Sequence, residues 1–210
     1  MRDYVILTDS CCDLSAEMAA ELGVEVLPLS LQMGDRTYRN YLDGREIGFH
    51  EFYERVRSGE LATTSAVNVG EFEEKMREIL KTGKDILSIS FSSALSTTYQ
   101  SSVIAAEELK DEFPDAKILT VDSLCASLGQ GLFVYLCAQE QKKGKTIDEV
   151  KTFAEETKAA DLIDIVFLCG DHDHRCVFRL SDLLTDLKSV HSRQHKIQDK
   201  EVELLRNRPL

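Results

Sequence analysis

The stretch DILSISF (residues 85–91), followed at once by SSALSTTY (residues 92–99), decides the fold class of this chain of 210 residues. A short apolar run that ends in a cluster of hydroxyl residues is typical of a buried strand. The serines and threonines after it predict a turn and then a helix that begins near Ser96 and ends near Phe113, just before Pro114. A buried strand that passes directly into a helix is the repeating unit of parallel α/β sheets.

The same strand–helix unit recurs on both sides of this stretch. Gly23 supplies the stop of the first helix, and Asn68 and Thr146 each open a capping-box pattern for a later one. The region 35–48 is loop-like, with a short strand at residues 37–38. The pattern predicts a doubly wound, mainly parallel α/β sheet. The other predicted strands are 4–7, 24–31 and 117–121, and the other predicted helices are 15–22, 49–56, 68–82, 126–142 and 146–158.

The composition sets limits on the partners. The chain is 43% hydrophobic and 30% charged, as globular proteins are. A net charge of −12 argues against nucleic acid as the main partner, because phosphate binding needs concentrated Lys and Arg. No apolar stretch approaches the ~20 residues that span a bilayer, and the first residues do not resemble a signal peptide. We therefore expect a cytoplasmic protein without stable membrane insertion, in which the six cysteines are free thiols.

The composition changes near Cys169. Residues 169–210 carry eight Lys and Arg against seven Asp and Glu, whereas residues 1–168 carry 17 against 30. We therefore predict a main α/β region over 1–167 and a separate short segment over 168–210. A cluster in that segment contains residue types that bind zinc, but its spacing matches no familiar zinc finger, and we predict no metal site. The cluster consists of Cys169, His172, His174 and Cys176.

Hydroxyl and carboxyl side chains follow several of the predicted strands. In open α/β sheets, ligands bind just beyond the carboxyl ends of the strands. Hydroxyls both donate and accept hydrogen bonds, and the start of the helix near Ser96 would add unpaired backbone N–H groups. Such a site could hold a carboxylate or a small phosphate without a cationic residue, although the same residue types also serve as ordinary caps and turn formers. The candidate ligand-binding residues are Asp9, Ser10, Thr64, Ser65, Ser92, Ser93, Ser96 and Ser123.

Familiar enzyme patterns are missing from the sequence. There is no Walker loop and no G-x-G-x-x-G after a strand, so we predict no nucleotide cofactor. A serine hydrolase needs a base, and His50 is the sole histidine before residue 169. We therefore predict a binding protein without catalytic residues. The alternative is a small phosphotransferase or hydrolase that uses Asp and Ser at the strand ends, with Asp9 and Asp122 as possible Mg²⁺ ligands.

Four motifs together resemble the DegV family of bacterial fatty-acid-binding proteins. They are T-D-S (8–10), T-S (64–65), S-S-A-L-S-T-T-Y-Q-S (92–101) and V-D-S (121–123) with Ser127 and Gly129. Their order and approximate spacing agree with the family over about residues 3–165. The serine-rich motif is long, which makes the resemblance specific.

The resemblance implies a two-lobed α/β protein with a long-chain fatty acid, of the palmitate or oleate class, between the lobes. It implies that Thr64 and the serines of the 92–96 motif, Ser93 and Ser96 above all, hold the carboxylate. It further implies that the protein presents this carboxylate to a fatty acid kinase, which forms the acyl phosphate. The carrier itself would not be an enzyme.

Two departures from the family pattern matter. Thr97 stands where the family has glycine, and a β-branched residue does not readily take a positive φ, so we expect a slightly different backbone there. The family continues for about a hundred further residues, and nothing after about residue 167 matches that pattern. We therefore expect a truncated or divergent second lobe, which leaves open a remnant that binds no lipid. A missing lid would expose apolar surface and favour a homodimer.

Overall fold

The structure is a computed structural model that describes residues 2–157. The predicted segment 168–210 and its cysteine–histidine cluster lie outside the described residues. None of the helices within the described range is long and apolar enough to cross a membrane. Seven strands and six helices build the described part. The strands are β1 (Tyr4–Asp9), β2 (Glu25–Leu27), β3 (Leu29–Met33), β4 (Arg36–Asn40), β5 (Ala62–Ser65), β6 (Asp85–Ser90) and β7 (Ile118–Asp122). The helices are α1 (Ala16–Leu22), α2 (Phe49–Arg57), α3 (Val69–Lys81), α4 (Thr98–Glu108), α5 (Ser127–Lys142) and α6 (Ile147–Glu156).

Four strands form a parallel sheet in the order β2-β1-β6-β7. Helices α3 and α4 pack together on one face, where Phe72, Met76 and Leu109 cover Leu7 and Ile86. Helices α1, α5 and α6 pack together, and α5 and α6 contact the strands. Phe133 of α5 is fully buried. The expectation of an α/β fold with a mainly parallel sheet is confirmed. This arrangement places the ends of β1, β6 and β7 at one edge.

The prediction of a single strand over residues 24–31 is wrong. Pro28 divides it into β2, which pairs with β1, and β3, which pairs with β4 and β5. Proline has no backbone N–H and fixes φ, so it cannot continue a ladder of hydrogen bonds. The chain therefore leaves the parallel sheet at this residue and enters a second sheet.

The second sheet is antiparallel, with the order β4-β3-β5, and the sequence did not predict it. The segment 63–65, predicted as part of a turn, belongs to the edge strand β5. An apolar cluster on one face of this sheet packs against Phe52 of α2. Within that sheet Leu31 pairs with Tyr38 on one side and with Thr64 on the other, so these three side chains share the face.

The helix boundaries differ from the prediction chiefly at α4. This helix begins at Thr98 instead of Ser96 and ends at Glu108 instead of near Phe113. Both predicted capping boxes are present, at Asn68 with Glu71 and at Thr146 with Glu149. Capping boxes are read well from sequence because both hydrogen bonds are local.

Candidate functional site

The candidate site lies at the carboxyl ends of the parallel strands. Ser90, the last residue of β6, pairs with Asp122, the last residue of β7. Asp9 ends the neighbouring strand β1, and its carboxylate accepts a hydrogen bond of 2.8 Å from the backbone N–H of Phe91. The strand ends thus lead into one loop, residues 92–97, which we call the serine loop.

Two carboxylates hold the serine loop in place. Asp9 fixes its beginning through Phe91, and Oδ1 of Asp122 accepts a hydrogen bond of 3.1 Å from the backbone N–H of Ser93. The backbone N–H of Ser92 also donates to the carbonyl of Cys125 at 3.1 Å. Since these bonds use only the backbone of Ser93, its hydroxyl remains available.

Inside the serine loop, two of the predicted site hydroxyls have local roles. Oγ of the buried Ser92 accepts from the N–H of Ala94 at 3.3 Å. Oγ of Ser96 accepts from the N–H of Thr98 at 3.2 Å and shares a hydrogen bond of 2.9 Å with the Thr98 hydroxyl. Ser96 therefore bonds the first residue of α4, although its half-buried hydroxyl can still accept or donate one further bond.

Thr97 adopts an ordinary backbone conformation, with φ −79° and ψ −1°. The serine loop therefore does not need a left-handed residue at this position, and the β-branched side chain causes no strain there.

The predicted site residues Asp9, Ser10 and Ser123 are buried and bonded within the protein. Asp9 also accepts from the N–H of Cys11 at 3.1 Å. Oγ of Ser10 accepts from the N–H of Leu29 at 3.0 Å. Oγ of Ser123 accepts from the N–H of Cys125 at 3.2 Å. The structure thus gives these three side chains supporting roles, because they are almost fully shielded from solvent.

The remaining predicted site residues, Thr64 and Ser65, end the edge strand β5. Both are exposed, and neither hydroxyl makes a hydrogen bond to any residue in the range 2–157. Ser65 pairs with Ser30 of β3. The residue before Ser30 is Leu29, whose backbone N–H donates to Oγ of Ser10. The end of β5 is therefore tied through β3 to the end of β1.

The hydroxyls of Thr64, Ser65 and Ser93 are exposed and bond to no described residue. Hydrogen bonds connect the strand ends on which they lie. Strand alternation turns Thr64 and Ser65 to opposite faces of the antiparallel sheet, so a single ligand atom would contact one more readily than the other. Serine and threonine hydroxyls can bind an anion by donating their O–H.

Burial raises the pKa of Asp9, and the hydrogen bonds from Phe91 and Cys11 oppose that effect. The physical cause is the loss of water around a carboxylate that is 0% exposed. The nearby thiol of Cys12 is also buried, which raises its pKa to about 12 and keeps it protonated at neutral pH. Neither group is therefore placed as an exposed nucleophile.

Asp9→Asn should reveal the cost of this buried charge. A raised folded-state pKa means that the contribution of Asp9 to stability is full below its ordinary pKa of 3.8 and is lost as the pH rises through the folded-state value. The asparagine of the variant has no ionisable carboxyl group, so it does not titrate in this pH range. Its free energy of unfolding relative to the parent should therefore improve as the pH rises from about 4 to about 8. Urea unfolding at several pH values measures this, and a difference that stays constant with pH would contradict it.

Sequence reasoning missed three residues that shape the site. Asn40 donates to Oγ of Ser10 at 3.3 Å, and Gln130 of α5 donates to Oγ1 of Thr8 at 3.0 Å. Leu124 has a left-handed backbone, with φ +53°. The first two contacts join residues far apart in the chain, so no local pattern signals them. The pattern D-S-x-C at 122–125 is a turn signal that could have drawn attention to Leu124.

Comparison with known proteins agrees with the fold. A family model described as uncharacterised proteins of the DegV family matches residues 3–174. A DegV domain-containing protein of Clostridium perfringens is 44% identical over 158 residues, which are 75% of this chain and 54% of that protein. One from Streptococcus pyogenes is 34% identical over 152 residues, covering 72% of this chain and 53% of the relative. The chain belongs to the DegV family.

Solved structures of the family share the fold. A DegV family protein of Thermus thermophilus, described by its fatty acid binding, matches with a TM-score of 0.64 and 32% identity over 74% of this chain and 53% of that one. DegV of Bacillus subtilis, described as a fatty acid binding protein, matches with a TM-score of 0.66 and 27% identity, over 75% and 54%. The chain therefore spans about half the length of the relatives that it matches.

Proposed function

We propose that this chain binds a long-chain fatty acid and holds its carboxylate with the hydroxyls of Thr64 and Ser93. The observation that carries the proposal is a set of exposed hydroxyls that bond to no residue within 2–157, beside a loop held in place by Asp9 and Asp122, in a member of the DegV family. Related structures are described as fatty-acid-binding, which supports an acyl chain as the rest of the ligand. Ser92 and Ser96 shape the serine loop next to Ser93, whereas Ser65 lies on the opposite face of β5 from Thr64.

The proposed site suits an anion for three reasons. A hydroxyl donates its O–H to a carboxylate oxygen, and hydrogen bonds to charged groups are stronger than those between neutral groups. The N-terminus of α4 begins directly after the serine loop and contributes a positive partial charge. The bond from the backbone N–H of Ser93 to Asp122 fixes the position of the serine loop without using the hydroxyl of Ser93, which can therefore donate to the anion.

A carrier of this kind needs a partner for chemistry. We propose that the bound carboxylate is presented, in the cytoplasm, to a fatty acid kinase that transfers a phosphoryl group to it and forms the acyl phosphate. Exposure of Ser93 at the strand ends would leave the carboxylate accessible to that partner. The carrier would supply the substrate and the kinase the catalytic groups.

The hydrolase or phosphotransferase alternative receives less support from the geometry. It requires Asp9 and Ser123 to face a substrate, yet both are 0% exposed and bonded to backbone groups of the protein. A buried side chain with its hydrogen bonds made cannot attack a substrate without local rearrangement. Carriage of a ligand uses the exposed hydroxyls instead.

Mass spectrometry of an organic extract from the purified, denatured chain tests the proposal. We expect a near-stoichiometric fatty acid of the palmitate or oleate class, or saturable binding of added palmitate by the lipid-free chain. Absence of both would contradict lipid carriage by this chain and favour a remnant that folds without binding lipid. A divalent-metal-dependent turnover of phosphate esters would instead favour the enzyme alternative.

A further inference from the structure

Leu124 has a backbone conformation that leucine seldom adopts. Its φ is +53°, in the left-handed region where a Cβ collides with the backbone and where bulky residues are uncommon. Local hydrogen bonds hold it there: its own N–H donates to Oδ1 of Asp122 at 3.1 Å, and the next N–H, of Cys125, donates to Oγ of Ser123. Strain of this kind persists only where surrounding structure fixes the residue.

Leu124 lies beside Ser93, because one atom binds both backbones. Oδ1 of Asp122 accepts from the N–H of Ser93 and from the N–H of Leu124, each at 3.1 Å. The two residues are therefore neighbours across the ends of β6 and β7. Both residues are exposed, so their adjacent backbones form one small patch of surface.

The same patch exposes a second leucine. Leu124 is 43% exposed and Leu95, in the serine loop itself, is 68% exposed. The N–H of Leu95 donates to the carbonyl of Ser92 at 3.0 Å, which places it one residue beyond the Ser93–Ala94 turn. Two exposed leucines thus flank a hydroxyl that we assign to the carboxylate, and apolar surface next to an anion-binding group suits an amphipathic ligand.

We infer that Leu124 and Leu95 contact the first methylene groups of the bound acyl chain, directly next to its carboxylate. This inference rests on the proposed function. Every fatty acid has these methylenes, whatever its length. The two leucines should therefore strengthen binding of all chain lengths by a similar factor, and the selection of chain length must come from elsewhere.

Leu124→Gly separates ligand contact from folding. Glycine adopts the left-handed conformation without strain, so the variant should unfold at the same temperature as the parent or higher. Its affinity for laurate, myristate and palmitate should fall by about fivefold in each case, because part of a leucine contact is lost. Leu95→Ala should give a similar uniform loss. Fluorescence displacement titrations and thermal melts measure both properties.

Two further variants make the result specific. Ser127→Gly relieves a left-handed residue in the same region, φ +51°, without removing an apolar side chain, and should keep the parent affinity. Leu124→Asn tolerates the left-handed backbone but is polar, and should bind as weakly as Leu124→Gly.

The outcomes distinguish the inference from the proposed function. Parent-like affinity of Leu124→Gly, or a loss that grows with chain length, would overturn the inference and leave lipid carriage standing. An equal loss in Ser127→Gly would assign the effect to loop flexibility and also overturn it. A parent chain that binds none of the three acids would overturn the proposed function and the inference together.

Discussion

The double variant Thr64→Val, Ser93→Ala is expected to bind palmitate about 100-fold more weakly than the parent, or weaker still. Each substitution removes a hydroxyl bond to a charged group, worth about 1.5–3 kcal/mol, and about 1.4 kcal/mol corresponds to a factor of ten. Neither hydroxyl bonds to another described residue, so the fold should not change. Titration with lipid-free protein measures the affinity, and a thermal melt checks the fold.

A matched double variant provides the control. Thr63→Val with Thr97→Val also removes two exposed hydroxyls, one from β5 and one from the serine loop. Strand alternation turns Thr63 to the face opposite Thr64, and Thr97 makes no side-chain cap bond to α4. This variant should bind palmitate as the parent does. Unchanged affinity in the Thr64/Ser93 variant would refute the assignment of the carboxylate to these two residues.

Gly131→Ala is expected to destabilise the fold by about 3 kcal/mol or more, the range of severe overpacking. Gly131 of α5 lies against the backbone after β1, and a Cβ built there would stand 2.3 Å from the carbonyl oxygen of Cys12. A backbone atom cannot move aside as the end of a flexible side chain can. Helix α5 would have to shift away from the Ser10–Cys12 turn, and the supporting contacts of Asp9 and Ser10 would move with it.

Gly129→Ala is the control for helix propensity in the same helix. Among residues 2–157, its added Cβ would meet only Cβ of Cys125, at 3.7 Å, which is ordinary van der Waals contact. Because alanine favours the helical state over glycine by about 1 kcal/mol, this variant should be as stable as the parent or more stable. Denaturant unfolding of the two variants measures the difference. Equal stabilities would show that α5 does not dock closely through Gly131.

Most of the fold prediction came from local sequence patterns. The strand–helix alternation, the caps at Asn68 and Thr146, and the stop at Gly23 all depend on residues within a few positions of one another. The sequence did not show which strands pair with each other. The stretch 24–31 looked like one strand because both parts are apolar, and the division at Pro28 became visible only when β3 was seen to pair with β4 and β5.

At the candidate site, too, local patterns were predicted and long-range contacts were not. The sequence identified a set of candidate hydroxyls near the strand ends, but it could not separate those that support the site from those that are free to bind. Ser10 and Ser93 are both serines that follow a strand, yet the first is buried against Leu29 and the second is exposed. Burial depends on which segments meet in space, and no local pattern reports that.

By itself, the sequence determined the class of fold, the family resemblance and the set of candidate hydroxyls, because periodicity, capping and motif spacing are properties of neighbouring residues. Only the tertiary structure decided that Asp9 and Asp122 clamp the serine loop, that Thr64 lies on an edge strand, and that Leu124 is held beside Ser93. These are contacts between residues distant in the chain. Their geometry follows from the packing of the two sheets and their helices, which no short stretch of sequence contains.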